Sequence, residues 1–277
     1  MSRLKPTNDF IFKKIFGQSK NSDLLKDLLE AILTDIKIYK VEINKDVSLE
    51  RKEITDKLGI MDIVATLNDN TKVNIEMQVK DYNDTIERSL FYGTGLHHET
   101  LDLGSDYITT MRTISIWITD YNVFEEGPFH ERAKLKRDYE NIELTDKIEF
   151  HYIQLPKFRK KCKRISSKLE EWLTFISNEN MEEVRMIDNE CVKKAEEEYE
   201  YLTGEEEAKR WAFLRERAIR DEFAAKNFGL REGKKEGKKE GKKEGKKEDA
   251  KKMLAKGFSV ETIMEITELT KEEIEKL

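Results

Sequence analysis

"NIEMQVKD", residues 74–81, carries two kinds of side chain at a spacing of two. Read as a strand, it puts Val73, Ile75, Met77 and Val79 on one face and Asn74, Glu76, Gln78 and Lys80 on the other. The first face is apolar throughout, and the second aligns an acid, amides and an amine. Just before it stands another strand-like run, "GIMDIVATL" (59–67), joined to it through "NDN", a junction rich in turn formers and typical of a hairpin. With the turn centred on Asp69, Gly59, Met61, Ile63, Ala65 and Leu67 join the apolar face, and Asp62 falls opposite Glu76. A slip of one residue would mix the two faces, so the hydrophobic pattern itself selects this register.

Directly opposed side chains have Cβ atoms about 5 Å apart, and like charges placed so are destabilising. Two such carboxylates call for a shared proton or a bridging cation. Oxygen ligands at an open site suit Mg²⁺ or another divalent cation, which completes its shell with water and substrate phosphate. Such an ion polarises a phosphoryl oxygen and lowers the pKa of an attacking water. Gln78 would project beside the ion, and Lys80 toward the same edge. The competing reading is a plain solvent-facing sheet surface, where polar side chains are ordinary.

Composition bounds what surrounds this hairpin. The 277-residue chain is 39% charged and 38% hydrophobic, so a core is affordable under a heavily charged surface. Cys162 and Cys191 offer neither a disulfide framework nor metal-ligand spacing. The opening "MSRLKPTNDF" lacks the apolar core of a signal peptide, and no apolar run nears the roughly 20 residues needed to span a bilayer. The expectation is a cytoplasmic protein without membrane contact. The net charge of −6 is uneven: residues 231–252 hold 11 basic and 6 acidic side chains, leaving −11 on the remainder. A protein that coats DNA indiscriminately would be basic throughout, so nucleic-acid contact here should be local or cation-assisted.

Along the chain, "NDFIFKKIFG" reads as a helix capped by Thr7 or Asn8 and stopped at Gly17, and "NSDLLKDLLEAIL" as a second helix capped by Ser22. "IKIYKVEI" alternates as a strand ahead of the hairpin. "NDTIERSLFYGTGLHHETLDLG" is helical in pattern with Gly104 as terminator, and "RTISIWITD" and "KIEFHYIQL" are strands. Beyond Lys157 the pattern turns helical, through "SSKLEEWLTFI", "CVKKAEEEYEYL" and "EEEAKRWAFLRERAIRDEFAAKNF". A "GKKE" repeat of period four and a tail of short helices broken at Gly257 follow, with Thr270 and Glu273 forming a capping box. The expected organisation is a core over 1–157, a helical extension over 158–230, a repeat linker or helix over 231–248 and a small tail module over 249–277. Interleaved helices and strands in the order α-β-β-β-α-β make the core an α/β fold with a mixed sheet.

That order resembles the PD-(D/E)XK nuclease superfamily, with its restriction-endonuclease-like core, and within it the Rpn family of recombination-promoting nucleases. "GIMDIVA" matches the first motif acid through Asp62, and "NIEMQVK" matches the E-x-K strand through Glu76 and Gln78. "PTNDFIFKKIFG" is similar to the family's Asp-x-x-Phe-Lys segment, with Asp9, Phe12 and Lys13. "ERSLFYGTGL" is similar to its Arg-x-x-x-Tyr helix, with Arg88 and Tyr92, and "LGSDYITTMRTISIWITD" to its Gly-x-x-Tyr segment. The match spans about residues 5–158, and the Gly-Lys-Glu repeat with its helical tail also fits. Each motif alone is weak, and their order is what carries the resemblance. It implies Asp62 and Glu76 as metal ligands, Gln78 as a catalytic amide, Asp9 as a further site residue, and Lys13, Lys80, Arg88 and Tyr92 as phosphate contacts. The departure is Gln78, which stands where the superfamily usually has lysine and can orient a water or phosphate oxygen but carries no charge.

Other features are neutral between function and structure. His97 and His98 diverge by about 100° on a helix and cannot share a metal. Gly93 and Gly95 most simply permit close approach of a helix to the sheet. "KFRKKCKR" (157–164) holds six basic residues in eight, suited to a DNA backbone or to a solvated linker. The repeat drifts by about 40° per unit in a helix, and each Gly costs about 1 kcal/mol against Ala. It therefore suits a linker, or a contact by which copies of the chain form a homo-oligomer. The expected function is Mg²⁺-dependent DNA endonuclease activity in recombination, mobile-element or defence biology. The alternative is a catalytically weak DNA-binding or assembly protein of the same fold, and action on RNA stays open.

Overall fold

A computed structural model describes residues 4–44, 62–161, 164–177, 181–204 and 244–274, with positions 234, 237, 238, 241, 242 and 276 besides. The chain divides into two compact units, Met1–Phe213 and Leu214–Leu277.

In the first unit, α1 (Asp9–Phe16) begins where Asn8 Oδ1 accepts the Phe10 and Ile11 N–H groups at 3.1 and 3.3 Å. It ends at Gly17, whose Cβ position would lie 2.7 Å from Lys13 O, so a side chain is excluded there. Ile11, Phe12, Ile15 and Phe16 form its buried face. Ser22 is the first residue of α2 (Ser22–Ile32) and not its cap: a short 3₁₀ turn, Ser19–Asn21, leads in, and Asn21 Nδ2 donates instead to Ile15 O at 2.9 Å.

Among the described residues six strands follow: β1 (Val41–Ile43), β2 (Ile63–Leu67), β3 (Lys72–Gln78), β4 (Thr113–Thr119), β5 (His130–Lys134) and β6 (Ile148–Gln154). They form one mixed sheet in the order β1-β2-β3-β4-β6-β5, parallel at β3–β4 and β4–β6 and antiparallel elsewhere. The β2–β3 register is the one the alternation selects, pairing Ile63 with Ile75, Val64 with Asn74 and Ala65 with Val73. Asn70 takes φ 66° in the turn, and Asp69 Oδ1 accepts Thr71 N–H at 3.0 Å. Gly59 and Met61 lie outside the described residues. The strand expected over "IKIYKVEI" is confined to its last three residues.

β5 is absent from the pattern reading because His130, Arg132 and Lys134, which share one face, are polar. They lie alongside Ile153, His151 and Glu149 of β6. Glu149 is buried and accepts from Arg112 Nη2 at 2.8 Å, Arg132 Nη2 at 3.0 Å and His151 at 2.6 Å. Although burial pushes its carboxyl up, these hydrogen bonds hold it far below the ordinary carboxylate range. A charge network thus stands where an apolar stripe would have marked a strand.

One sheet face carries Ile63, Ala65, Val73, Ile75, Met77 and the isoleucines of β4, packed on α1 and α2. α5 (Lys168–Ser177) and α7 (Glu190–Gly204), which follow α4 (Leu155–Lys161) and the short α6 (Met181–Arg185), join that core through Trp172, Phe175 and Tyr199. Trp172 Nε1 donates to Asp27 Oδ1 of α2 at 2.8 Å. The change of pattern near residue 157 is therefore a change of secondary structure within one packed unit. α4 itself occupies part of "KFRKKCKR", with Phe158 buried, Arg159 2.6 Å from Asp120 and Lys157 on Glu126 O.

The other face is covered by α3 (Thr85–His98). Gly93 is what lets α3 lie so close: a Cβ there would sit 2.6 Å from Phe150 Cε1, whereas Gly95 faces open space. The helix stops at His98, and Gly104, expected to end it, takes its positive φ of 84° in the loop beyond. Among the described residues no helix is long and apolar enough to cross a membrane.

In the second unit, residues 244–255 are helical and are followed by helices Val260–Thr267 and Lys271–Ile274, around Ala250, Ile263, Leu269 and Ile274. Gly257 takes φ 83° between the first two. Thr270 N–H donates to Glu273 Oε2 at 3.1 Å while Glu273 N–H donates to Thr270 Oγ1 at 3.3 Å, the reciprocal capping box. The segment "EEEAKRWAFLRERAIRDEFAAKNF" and much of the repeat lie outside the described residues.

Candidate active site

The polar face of β3 is not a solvent face. Glu76 is 1% exposed and Asn74 is fully buried, both beneath α3. Asp62 stands one residue before β2, and two crossed hydrogen bonds bind it to β3. Asp62 N–H donates to Glu76 Oε1 at 3.0 Å, and Met77 N–H donates to Asp62 Oδ2 at 3.0 Å. Each carboxylate thereby commits one oxygen to backbone. The remaining two meet side chains: Lys13 Nζ from α1 lies 2.7 Å from Asp62 Oδ1, and Gln78 Nε2 lies 3.4 Å from Glu76 Oε2.

Burial, and after it the Asp62 carboxylate, push the Glu76 carboxyl from 4.5 up to about 8, against the pull of Asp62 N–H, Lys13 and Arg88. Gln78 is oriented in turn by Arg88 Nη1, which donates to its Oε1 at 3.3 Å. The Arg88 guanidinium stands 5.4 Å from the Trp117 ring centre and 5.6 Å from that of Tyr92, and those two rings stack 5.9 Å apart. Trp117 is held by donating its Nε1–H to Ser115 Oγ at 3.0 Å. The guanidinium therefore has little freedom, and the amide's orientation follows from it.

The structure thus gathers Asp62, Glu76, Gln78, Lys13 and Arg88 of the expected residues. Tyr92 is half-buried in the aromatic cluster with Trp117, Phe150 and Tyr152. Lys80 is exposed beyond the end of β3. Asp9 lies one turn before Lys13 on α1, its Oδ1 accepting Phe10 N–H at 2.7 Å. Among the described residues no third His, Cys, Asp or Glu completes a ligand group with the pair. Sequence reading missed Trp117 and Ser115, whose only signal was their place on the β4 face shared with Glu76.

Two carboxylates, each with one oxygen not held by backbone, form a hard donor set. They fit a divalent cation that takes few protein ligands and fills its shell from water and phosphate. The raised Glu76 carboxyl reflects burial first and the Asp62 carboxylate second, and a cation held between the two acids would favour their charged forms.

Two family models match the chain. Residues 6–228 match the family model described as PD-(D/E)XK nuclease family transposase. Residues 243–277 match the model of the Rpn/YhgA-like nuclease family C-terminal HTH domain. Comparison with curated proteins and with solved structures gives no match.

Proposed function

Since the chain belongs to the Rpn-type PD-(D/E)XK nucleases, we propose that it is a divalent-metal-dependent endonuclease hydrolysing phosphodiester bonds in DNA. The observation that carries this reading is the crossed pair: Asp62 N–H donates to the buried Glu76 carboxylate and Met77 N–H donates to the largely shielded Asp62 carboxylate, which brings the two acids side by side.

A bound divalent ion, taken here as Mg²⁺, would polarise the phosphoryl oxygen and acidify the attacking water. Everything else is done by the chain. Asp62 and Glu76 would hold the ion through Oδ1 and Oε2, their other oxygens staying on Met77 and Asp62 N–H. Gln78, fixed by Arg88, offers an N–H that positions a water or a phosphate oxygen. α3 and the Trp117–Tyr92 stack keep bulk water from the buried side of Glu76, which strengthens its interaction with a cation. The C-terminal helix-turn-helix domain supplies DNA contact, and oligomerisation through the tail belongs to the same proposal.

The test is nicking of supercoiled plasmid by purified full-length protein in Mg²⁺ and in EDTA. Wild type should nick only in Mg²⁺, and Asp62→Ala should not nick at all. Cleavage that persists in EDTA and in Asp62→Ala would remove the assigned site. Gln78 favours one other reading, a DNA-binding protein of weakened catalysis. Binding of plasmid without nicking across divalent ions would select it.

A further inference from the structure

The E-x-Q strand lacks the lysine that its chemistry calls for, yet an ammonium is present at the site. Lys13 reaches in from α1 and contacts Asp62 Oδ1, the single oxygen of that carboxylate not held by backbone. Its side chain is 18% exposed and that of Asp62 9%, so the contact is largely shielded from solvent. The neighbouring cation cannot replace it. Arg88 is spent on Gln78 Oε1 and on two aromatic faces, and its planar fork is fixed where an ammonium on a four-carbon stem can move. α1 is itself well anchored by its Asn8 cap and the buried Phe12 and Phe16, so the stem of Lys13 starts from a fixed point.

We infer that Lys13 is the catalytic ammonium of this site, supplied by the first helix in place of the strand position that Gln78 occupies. It has two successive partners. Without a divalent ion it neutralises Asp62, the most positive charge the pair can recruit. When Asp62 Oδ1 serves an ion, the ammonium is released to the anionic phosphoryl oxygens of the substrate, where negative charge grows during hydrolysis. The strand amide then orients and the helix ammonium stabilises, a division between two residues of what one lysine otherwise combines. This inference rests on the nuclease reading above.

The experiment uses full-length wild type, Lys13→Met, Gln78→Lys and the double variant Lys13→Met/Gln78→Lys, each checked by thermal melting. Two readouts are taken: plasmid nicking in Mg²⁺, and Mg²⁺ or Mn²⁺ binding by calorimetry without DNA. Lys13→Met should lose about 100-fold or more in nicking, while binding the ion about tenfold more tightly because its competitor is gone. The double variant should regain at least about tenfold in nicking over Lys13→Met. A Lys13 that merely balances charge would be dispensable once an ion is bound, so undiminished nicking by Lys13→Met overturns the inference alone. Weaker ion binding by a folded Lys13→Met overturns it too, and so does a double variant no better than Lys13→Met. Should Lys13→Met not fold, Lys13→Arg carries the test. Its cation persists without the compact ammonium, and nicking equal to wild type would overturn the inference. Wild type that binds the ion and never nicks overturns the nuclease reading, and this inference with it.

Discussion

Replacing Glu76 with glutamine should make the metal-free protein more stable at neutral pH, and the size of the gain follows from the site. The Glu76 carboxyl is raised from 4.5 to about 8, first by burial and then by Asp62. A group whose folded pKa is raised contributes its stability below the unfolded value and loses it as pH climbs through the folded one. Here the loss runs from about pH 4.5 to about pH 8. At pH 7 the native state must hold a proton that the unfolded chain has released, at a cost of about 3 kcal/mol. Glutamine mimics the protonated side chain and needs no proton, and its Oε1 can still accept Asp62 N–H. Glu76→Gln should therefore match wild type near pH 4 and exceed it by about 3 kcal/mol at pH 7, or roughly 6–12 °C in melting temperature. The assay is thermal or urea unfolding in EDTA from pH 4 to pH 8, repeated with Mg²⁺. Added ion should raise wild type and leave the variant unmoved. A Glu76→Gln protein that is less stable at pH 7, by a margin constant across the range, would refute the account of the buried pair.

The remaining predictions concern the frame around the site. Gly93→Ala should cost about 1–3 kcal/mol in chemical denaturation, because its methyl would overlap Phe150, and pairing it with Phe150→Leu should recover part of the loss. Glu149→Gln should destabilise by about 3–5 kcal/mol, since Arg112 and Arg132 would be left without their buried counter-charge. His130 is held down to about 4, by burial first and then by His151 and Arg132. The unfolded chain then takes the proton first, so stability should fall as pH drops from about 6.5 to about 4, by about 3 kcal/mol. A His130→Asn variant with the same slope as wild type in that window would contradict this.

The hairpin was legible from the sequence because its two faces differ so sharply that only one register keeps them apart. Ile63 opposite Ile75 is the direct consequence. α1, α2, α5, α7 and the capping box at Thr270 were legible for the same kind of local reason. β5 was not, because Ala133 is its single apolar residue and no apolar stripe alternates along it; His130, Arg132 and Lys134 make sense only beside Glu149 and His151. The burial of Glu76 was equally out of reach, since nothing in "NIEMQVKD" says that α3 will lie across it with Gly93 against the sheet. Nor does any local pattern join Lys13 to Asp62, which are separated by 48 intervening residues and meet only through the fold.

The two crossed hydrogen bonds, Asp62 N–H to Glu76 Oε1 and Met77 N–H to Asp62 Oδ2, have a consequence for how the site comes into being. Each acid is oriented by an amide of the other strand. A hairpin paired one residue out of step would lose both bonds at once and turn the acids to opposite sides of the sheet. Misfolded chains would thus be inert and not weakly active. For the DNA cleavage proposed above, coupling competence to correct strand pairing would keep folding errors from becoming lesions in the genome.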